Sequence, residues 1–160
     1  MGNERVQERV VSGRPTDKRA LARSAECAAH SRATLEPMTN VLLIDYPPAV
    51  RDALRTRLSL ERDLNIVGEA DDAAQGIVLA QELEPDVIVI DAETPDLDAS
   101  RIVHAIAQSD ACRGFVVLSQ HAAAMADRLT GTSAVVVDKR EGQASLVGAI
   151  RSAGVRRWGT

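Results

Sequence analysis

The sequence predicts a doubly wound α/β domain built on a parallel sheet. Two observations carry this. Val87-Ile88-Val89-Ile90-Asp91 is a continuous apolar run ending in a carboxylate and closed by Ala92-Glu93-Thr94-Pro95, the pattern of a strand buried on both faces. Val41-Leu42-Leu43-Ile44-Asp45 repeats it upstream, and helical patterns separate this kind of run along the chain.

Composition bounds the alternatives. A chain of 160 residues has room for one domain and an appendage. Aromatic residues make up only 2 % (Tyr46, Phe115 and Trp158), so the core is aliphatic and base stacking on aromatic side chains is disfavoured as a function. Basic residues number seven against five acidic up to Thr39, and twelve against eighteen beyond it. An acidic globular part is a poor nucleic-acid binder. Cys27 and Cys112 stand alone, without metal-ligand spacing, as in a reducing, cytoplasmic setting. No apolar run reaches the length of a membrane span.

Residues 1–38 are rich in Arg, Glu, Ser and Ala and poor in large apolar side chains, so they read as a flexible N-terminal extension, with Met38 as an alternative start. From Thr39 the elements follow in order. After the first strand, Pro47 and Pro48 open a helix with Val50, Ala53, Leu54 and Leu58 inward and Arg51, Arg55 and Arg62 outward. Leu64-Asn65-Ile66-Val67 is a second strand closed by Gly68. Asp71 and Asp72 cap a helix whose expected inner face is Ala74, Ile77, Val78 and Leu83, and Pro85 ends it. The strand to Asp91 follows. Asp98 then caps a helix burying Ile102, Val103 and Ile106. Phe115 to Ser119 is the fourth strand, His121 to Leu129 a short helix, and Val135-Val136-Val137 the fifth strand, leading to Asp138-Lys139. A last helix over about Gln143–Ser152 buries Leu146, Val147 and Ile150, and residues 155–160 form a tail. The expected fold is flavodoxin-like, five parallel strands in the order 2-1-3-4-5 with helices on both faces.

Ligand sites of such sheets lie at the carboxyl ends of the strands. Those ends present Asp45, Asp91, Ser119 and Lys139. Two carboxylates, a hydroxyl and an ammonium on one rim suit phosphoryl chemistry, with an aspartate as nucleophile and cations neutralising the transferring oxygens.

In this order, from Asn40 to Ala153, these residues resemble the receiver domain of two-component response regulators. Val67-Gly68-Glu69-Ala70 is similar to the subfamily that usually carries a LuxR-type helix-turn-helix output, and Asp91-Ala92-Glu93-Thr94-Pro95 to the phosphoacceptor loop. The resemblance implies Asp91 as phosphoacceptor, and Mg²⁺ held by Asp45, Asp91 and the backbone carbonyl of Glu93. Ser119 and Lys139 would bind the phosphoryl group. A histidine kinase or phosphotransfer protein would be the donor, and a downstream protein or a second copy would receive the signal on the face of the fourth helix, fifth strand and fifth helix. Two positions depart from the family pattern. Tyr46 replaces the second acid after the first strand, which implies a weakened Mg²⁺ site, and Val136 replaces the aromatic switch residue.

The side chain of Glu93 reads either as a solvated loop group or as a substitute acid. His104 and His121 read as surface residues, Cys112 as an ordinary loop thiol and the segment Arg156-Arg157-Trp158 as a frayed terminus. No helix-turn-helix follows the fifth helix, so the expectation is a stand-alone receiver that is not an enzyme, does not bind DNA by itself and touches no membrane. A phosphorylation-independent pseudo-receiver and a truncated transcription regulator are the alternatives.

Overall fold

The computed structural model describes residues 37–44, 47–94, 97–109 and 114–155. By its contacts the chain divides into Met1–Leu35 and Glu36–Thr160, and the described residues belong to the second unit. Expectations for residues 1–36, Asp45, Tyr46, Pro95, Asp96, Cys112, Arg113 and 156–160 lie outside the described residues.

Among the described residues five strands alternate with five helices: β1 (Thr39–Ile44), α1 (Pro48–Leu58), β2 (Leu64–Ala70), α2 (Ala73–Leu83), β3 (Val87–Asp91), α3 (Ala99–Ala107), β4 (Gly114–Ser119), α4 (Ala122–Arg128), β5 (Ala134–Asp138) and α5 (Gln143–Val155), with a 3₁₀ turn over Lys139–Glu141 before α5. All strand pairs are parallel and the order is β2-β1-β3-β4-β5, the flavodoxin-like arrangement.

Alternation along the strands builds two cores. Leu42, Ile44, Ile88, Ile90, Phe115 and Val117 point to one face and meet Ile102, Val103 and Ile106 of α3 and Met125 of α4. Val41, Leu43, Val87, Val89, Val116 and Leu118 point to the other and meet Leu58 of α1 and Leu146, Val147 and Ile150 of α5. Every residue of β3 is buried, which is why its sequence is apolar without alternation.

Two helix faces differ from the expected ones. In α2 the inward residues are Ala73, Gly76, Ile77, Leu79 and Ala80, while Ala74 and Val78 face out. The cause is a close seat: a Cβ on Gly76 would stand 2.5 Å from Ile44 Cδ1, so the helix rests on Gly76 with Ile77 and Leu79 packing beside it, and Leu83, also expected inward, is 39 % exposed. In α1, Leu58 is buried and Leu54 packs on the core, but Ala53 is exposed and Val50 is 43 % exposed. Arg51, expected outside, is half-buried with its Nε 3.6 Å from Glu69 of β2, and Arg55 joins the same carboxylate at 3.4 Å.

Boundaries moved too. β2 runs through Gly68 because a register shift opposite Val41/Leu42 leaves Val67 as an extra residue, and Gly68 makes room for Leu83 and Leu42. α5 continues past Ser152 because Ala153 is buried against Gly114 and Gly154 lets the helix approach Thr39. The Asp72 and Asp98 caps are in place, accepting from Gln75 N–H and from Ser100 and Arg101 N–H. Among the described residues no helix is long and apolar enough to cross a membrane.

The amino edge of the sheet carries a latch that the sequence reading missed. Asp86, 6 % exposed, accepts from Asn40 N–H through Oδ2 at 2.9 Å. Its own N–H donates to the Asn40 carbonyl and its carbonyl accepts from Gly114 N–H. One residue thus ties the starts of β1, β3 and β4. Replacing Asp86 by Ala strands the Asn40 donor and should lower stability by about 1–3 kcal/mol in urea melts, whereas Asp86→Asn keeps an acceptor and should lose less. Gly114→Ala should also destabilise by about 1–3 kcal/mol, since its Cβ would have to displace backbone. That Cβ would meet the Ala153 carbonyl oxygen at 2.8 Å, and an unchanged denaturation midpoint would contradict the close contact.

Candidate functional site

Three strands deliver polar residues to the carboxyl edge. Asp91 ends β3 and is 7 % exposed, Ser119 ends β4 at 1 %, and Lys139 follows β5 in the 3₁₀ turn. The register explains their convergence: Asp91 pairs with Leu118 and Ser119 with Asp138, so the ends lie side by side. Asp138 turns the chain after β5. Its carboxylate, held down to about 2 chiefly by the Arg140 guanidinium, accepts from Arg140 N–H and Nε–H. That turn brings the Lys139 ammonium to Asp91 Oδ2 at 2.5 Å.

The loop after β3 is fixed from both sides. Ala92 N–H donates to the Leu118 carbonyl at 2.9 Å, and Glu93 N–H to Asp91 Oδ1 at 2.9 Å. Both oxygens of Asp91 are therefore engaged, one by the loop backbone and one by Lys139.

The reading of Glu93 as a solvated group is overturned. Its Oε1 accepts from the Ser119 hydroxyl at 3.0 Å and from Gln120 N–H at 2.8 Å. Oε2 lies 3.2 Å from Lys139 Nζ, off the hydrogen-bonding direction, so this buried oxygen has a charge partner but no directed bond. Ser119 in turn accepts from His121 N–H at 3.0 Å. The physical reason is that several donors converge here and a carboxylate satisfies them better than water.

The electrostatics agree with this arrangement. Burial works to raise the Glu93 pKa, but the Gln120 N–H, the Ser119 hydroxyl and the Lys139 charge outweigh it and hold the carboxyl below its ordinary value. Burial likewise works against the Lys139 charge. The hydrogen bond and charge of Asp91, then those of Glu93, prevail and lift the ammonium above its usual value.

Of the residues singled out in the sequence, Asp91, Ser119, Lys139 and Glu93 come together, while Asp45 and Tyr46 fall outside the described residues. Val136 is half-buried opposite Val117 and packs on the α3/α4 core. His104 and His121 are exposed. The Gln120 amide was not legible, since a backbone donor leaves no mark in a sequence. The Glu93 carboxylate was signalled only by an acid two residues after Asp91. Beside Asp91 and Lys139, a cavity of about 250 Å³ opens between α1 and α5, walled by Val50, Leu54, Val137 and Leu146.

The sequence profile of the response regulator receiver domain matches residues 41–151. The nitrate/nitrite response regulator NarL of Escherichia coli K12 is 34 % identical over 84 residues, covering 52 % of this chain and 38 % of NarL. The transcriptional regulatory protein LiaR of Bacillus subtilis is 43 % identical over 61 residues, covering 38 % of this chain and 29 % of LiaR. The matched part is thus well under half the length of either relative. Among solved structures, a LuxR-family two-component response regulator from Aurantimonas sp. SI85-9A1 superposes with a TM-score of 0.67 at 29 % identity, over 74 % of this chain and 86 % of the other. The signal receiver domain of NarL from Mycobacterium tuberculosis superposes with a TM-score of 0.64 over 74 % and 98 %, and at 24 % identity it supports the fold alone. With the profile spanning most of the chain, and a buried aspartate, a hydroxyl and a lysine meeting at the carboxyl edge of its sheet, the chain belongs to the response regulator receiver domain family of two-component signalling.

Proposed function

We propose that this receiver accepts a phosphoryl group on Asp91 from a histidine kinase or a histidine-containing phosphotransfer protein. The observation that supports it most is the Asp91 carboxylate at a buried strand end, in contact with Lys139 and one hydrogen-bonded side chain away from Ser119. In the transfer an Asp91 oxygen bonds to phosphorus as the phosphorus–nitrogen bond of the donor breaks. The electron pair leaves on the imidazole nitrogen. Lys139 would neutralise charge on the transferring oxygens, and Ser119 would donate one hydrogen bond to them.

Mg²⁺ fits the donor chemistry here in the way receiver domains generally use it. Among the described residues no three His, Cys, Asp or Glu side chains converge as a metal cage. A hard ion that keeps much of its water, however, needs only a few protein oxygens. The Asp91 carboxylate and the Glu93 carbonyl would hold it, with Asp45 as the third ligand on sequence grounds. When bound, the ion would supply positive charge against the phosphoryl oxygens. Tyr46 offers no carboxylate at the neighbouring position, so affinity should be low.

Acyl phosphate formation adds charge and acceptor oxygens beside Lys139 and Ser119, and the surface of α4, β5 and α5 is the natural place for the signal to reach a protein partner or a second copy. A phosphorylation-independent role in binding a partner is the second reading, favoured by the Glu93 carboxylate already bonded to Ser119 and Gln120.

Incubation with acetyl phosphate and Mg²⁺ should add one phosphoryl mass to the intact protein and none to Asp91→Asn. Absence of the adduct at every Mg²⁺ concentration would remove the phosphoacceptor reading. Tyr46→Asp should tighten Mg²⁺ binding, measured calorimetrically, by at least about tenfold, the scale on which a supporting group changes metal affinity. Equal affinities would remove Tyr46 as the cause of a weak site.

A further inference from the structure

We propose that the Glu93 carboxylate is a built-in anion seated where the phosphoryl group of Asp91 would sit, so that it must swing out before the site can accept one. This rests on the phosphoacceptor reading above and adds a positioning role for a side chain that the reading itself does not use.

The seat is defined by donors from separate elements. The Ser119 hydroxyl comes from the end of β4, the Gln120 N–H from the loop after it, and the Lys139 ammonium from the turn after β5. The hydroxyl and the amide donate to the one carboxylate of Glu93 at 3.0 and 2.8 Å, and the ammonium stands 3.2 Å from it as a charge partner. Lys139 simultaneously reaches Asp91, so the Glu93 carboxylate lies against the same cation as the carboxylate that would be phosphorylated. Two anions sharing one ammonium repel each other. Glu93 nevertheless occupies this position, held by the Ser119 hydroxyl and the Gln120 N–H.

Donor stoichiometry makes the seat exclusive. A serine hydroxyl has one hydrogen to give and a backbone amide has one. In this structure both are given to Glu93 Oε1. A phosphoryl group on Asp91 would bring three acceptor oxygens into the same space and need the same two hydrogens. Glu93 and the phosphoryl group cannot both hold them, and their charges oppose each other. The side chain of Glu93 keeps 28 % of its surface in solvent, so it has a way out. Its backbone N–H is held by Asp91 Oδ1, so the movement is a side-chain rotation.

The consequence is a switch whose donors are occupied from the start. Ser119 is already drawn toward the site by a carboxylate before any phosphoryl group arrives, and phosphorylation exchanges one anion for another at the same donors. The unmodified domain therefore rests in the arrangement that an anion stabilises, and removing Glu93 releases it.

Glu93→Ala and the shape-preserving Glu93→Gln test this, with two readouts. The first is uptake of phosphoryl from acetyl phosphate. If Glu93 leaves the seat open about one tenth of the time, Glu93→Ala should be modified about tenfold faster than the unaltered protein, with Glu93→Gln between them. The second omits transfer. In an Asp91→Asn background, which removes the repelling carboxylate and cannot be phosphorylated, inorganic phosphate is titrated while the Gln120 amide resonance is followed. Adding Glu93→Ala should tighten phosphate binding about tenfold on the same argument and shift the Gln120 amide before any phosphate is present. Equal phosphate affinity with and without Glu93, or adduct formation at the same rate in Glu93→Ala as in the unaltered protein, would overturn the proposal. Tighter phosphate binding with no adduct in any variant would uphold it and remove only the phosphoacceptor reading. The intact amide spectra of both Glu93 variants report that the fold has survived.

Discussion

Lys139 Nζ stands within 3.2 Å of two carboxylates, those of Asp91 and Glu93, and this shared cation organises the carboxyl edge of the sheet. Without it, two negative groups would be packed together with one of them almost wholly out of water, a costly arrangement. With it, each carboxylate also collects backbone donors, Asp91 from Glu93 N–H and Glu93 from Gln120 N–H. The site is therefore a network in which the removal of one member leaves the others under-satisfied, rather than a set of independent contacts.

The network depends on backbone placed from far away. β3 is five residues long and buried throughout, with a carboxylate just before it and another at its end. Asp86 fixes the amino edge by holding the starts of β1 and β4, and Asp91 presents the chemistry at the opposite edge. Between them Val87 and Val89 face α1 and α5 while Ile88 and Ile90 face α2, α3 and α4. Burial on both sides leaves the strand no freedom to slip, since a one-residue shift would exchange its two faces and carry Asp91 off its partners. The position of Asp91 beside Lys139 is in that sense set by hydrophobic packing.

What was legible in the sequence follows from what leaves a residue-type signal. Strand runs ending in Asp91, Ser119 and Lys139 did, because double burial demands continuous apolar residues and the ends are marked by polar ones. The inner face of α2 did not. Periodicity allows a stripe through Ala74 and Val78, but the observed stripe runs through Ala73, Gly76, Ile77 and Ala80, and at Gly76 the approach to Ile44 leaves no room for a side chain. Arg51, whose charge places it in solvent by sequence, lies half-buried beside Glu69, its charge met by that carboxylate. At the site, the side chain of Glu93 looked like an ordinary loop acid. Its place is set by the Ser119 hydroxyl and by the Gln120 N–H, a donor that every residue but proline carries.

The two shifted groups of the site also decide what can move Glu93. Its pKa lies below the ordinary carboxylate value, so its contribution to stability is complete above that value and fades only as pH falls through the lowered one. Lys139 is shifted the other way, so its contribution is complete below the ordinary ammonium value and fades only as pH rises through the raised one. Around neutrality both groups keep their charges with margin on either side, and each shift stabilises the charge of the other. A proton is thus a poor key for this pair. What can release the Glu93 carboxylate under such conditions is a competitor for its donors, and the chemistry of those donors, a hydroxyl, an amide and an ammonium, selects an oxyanion.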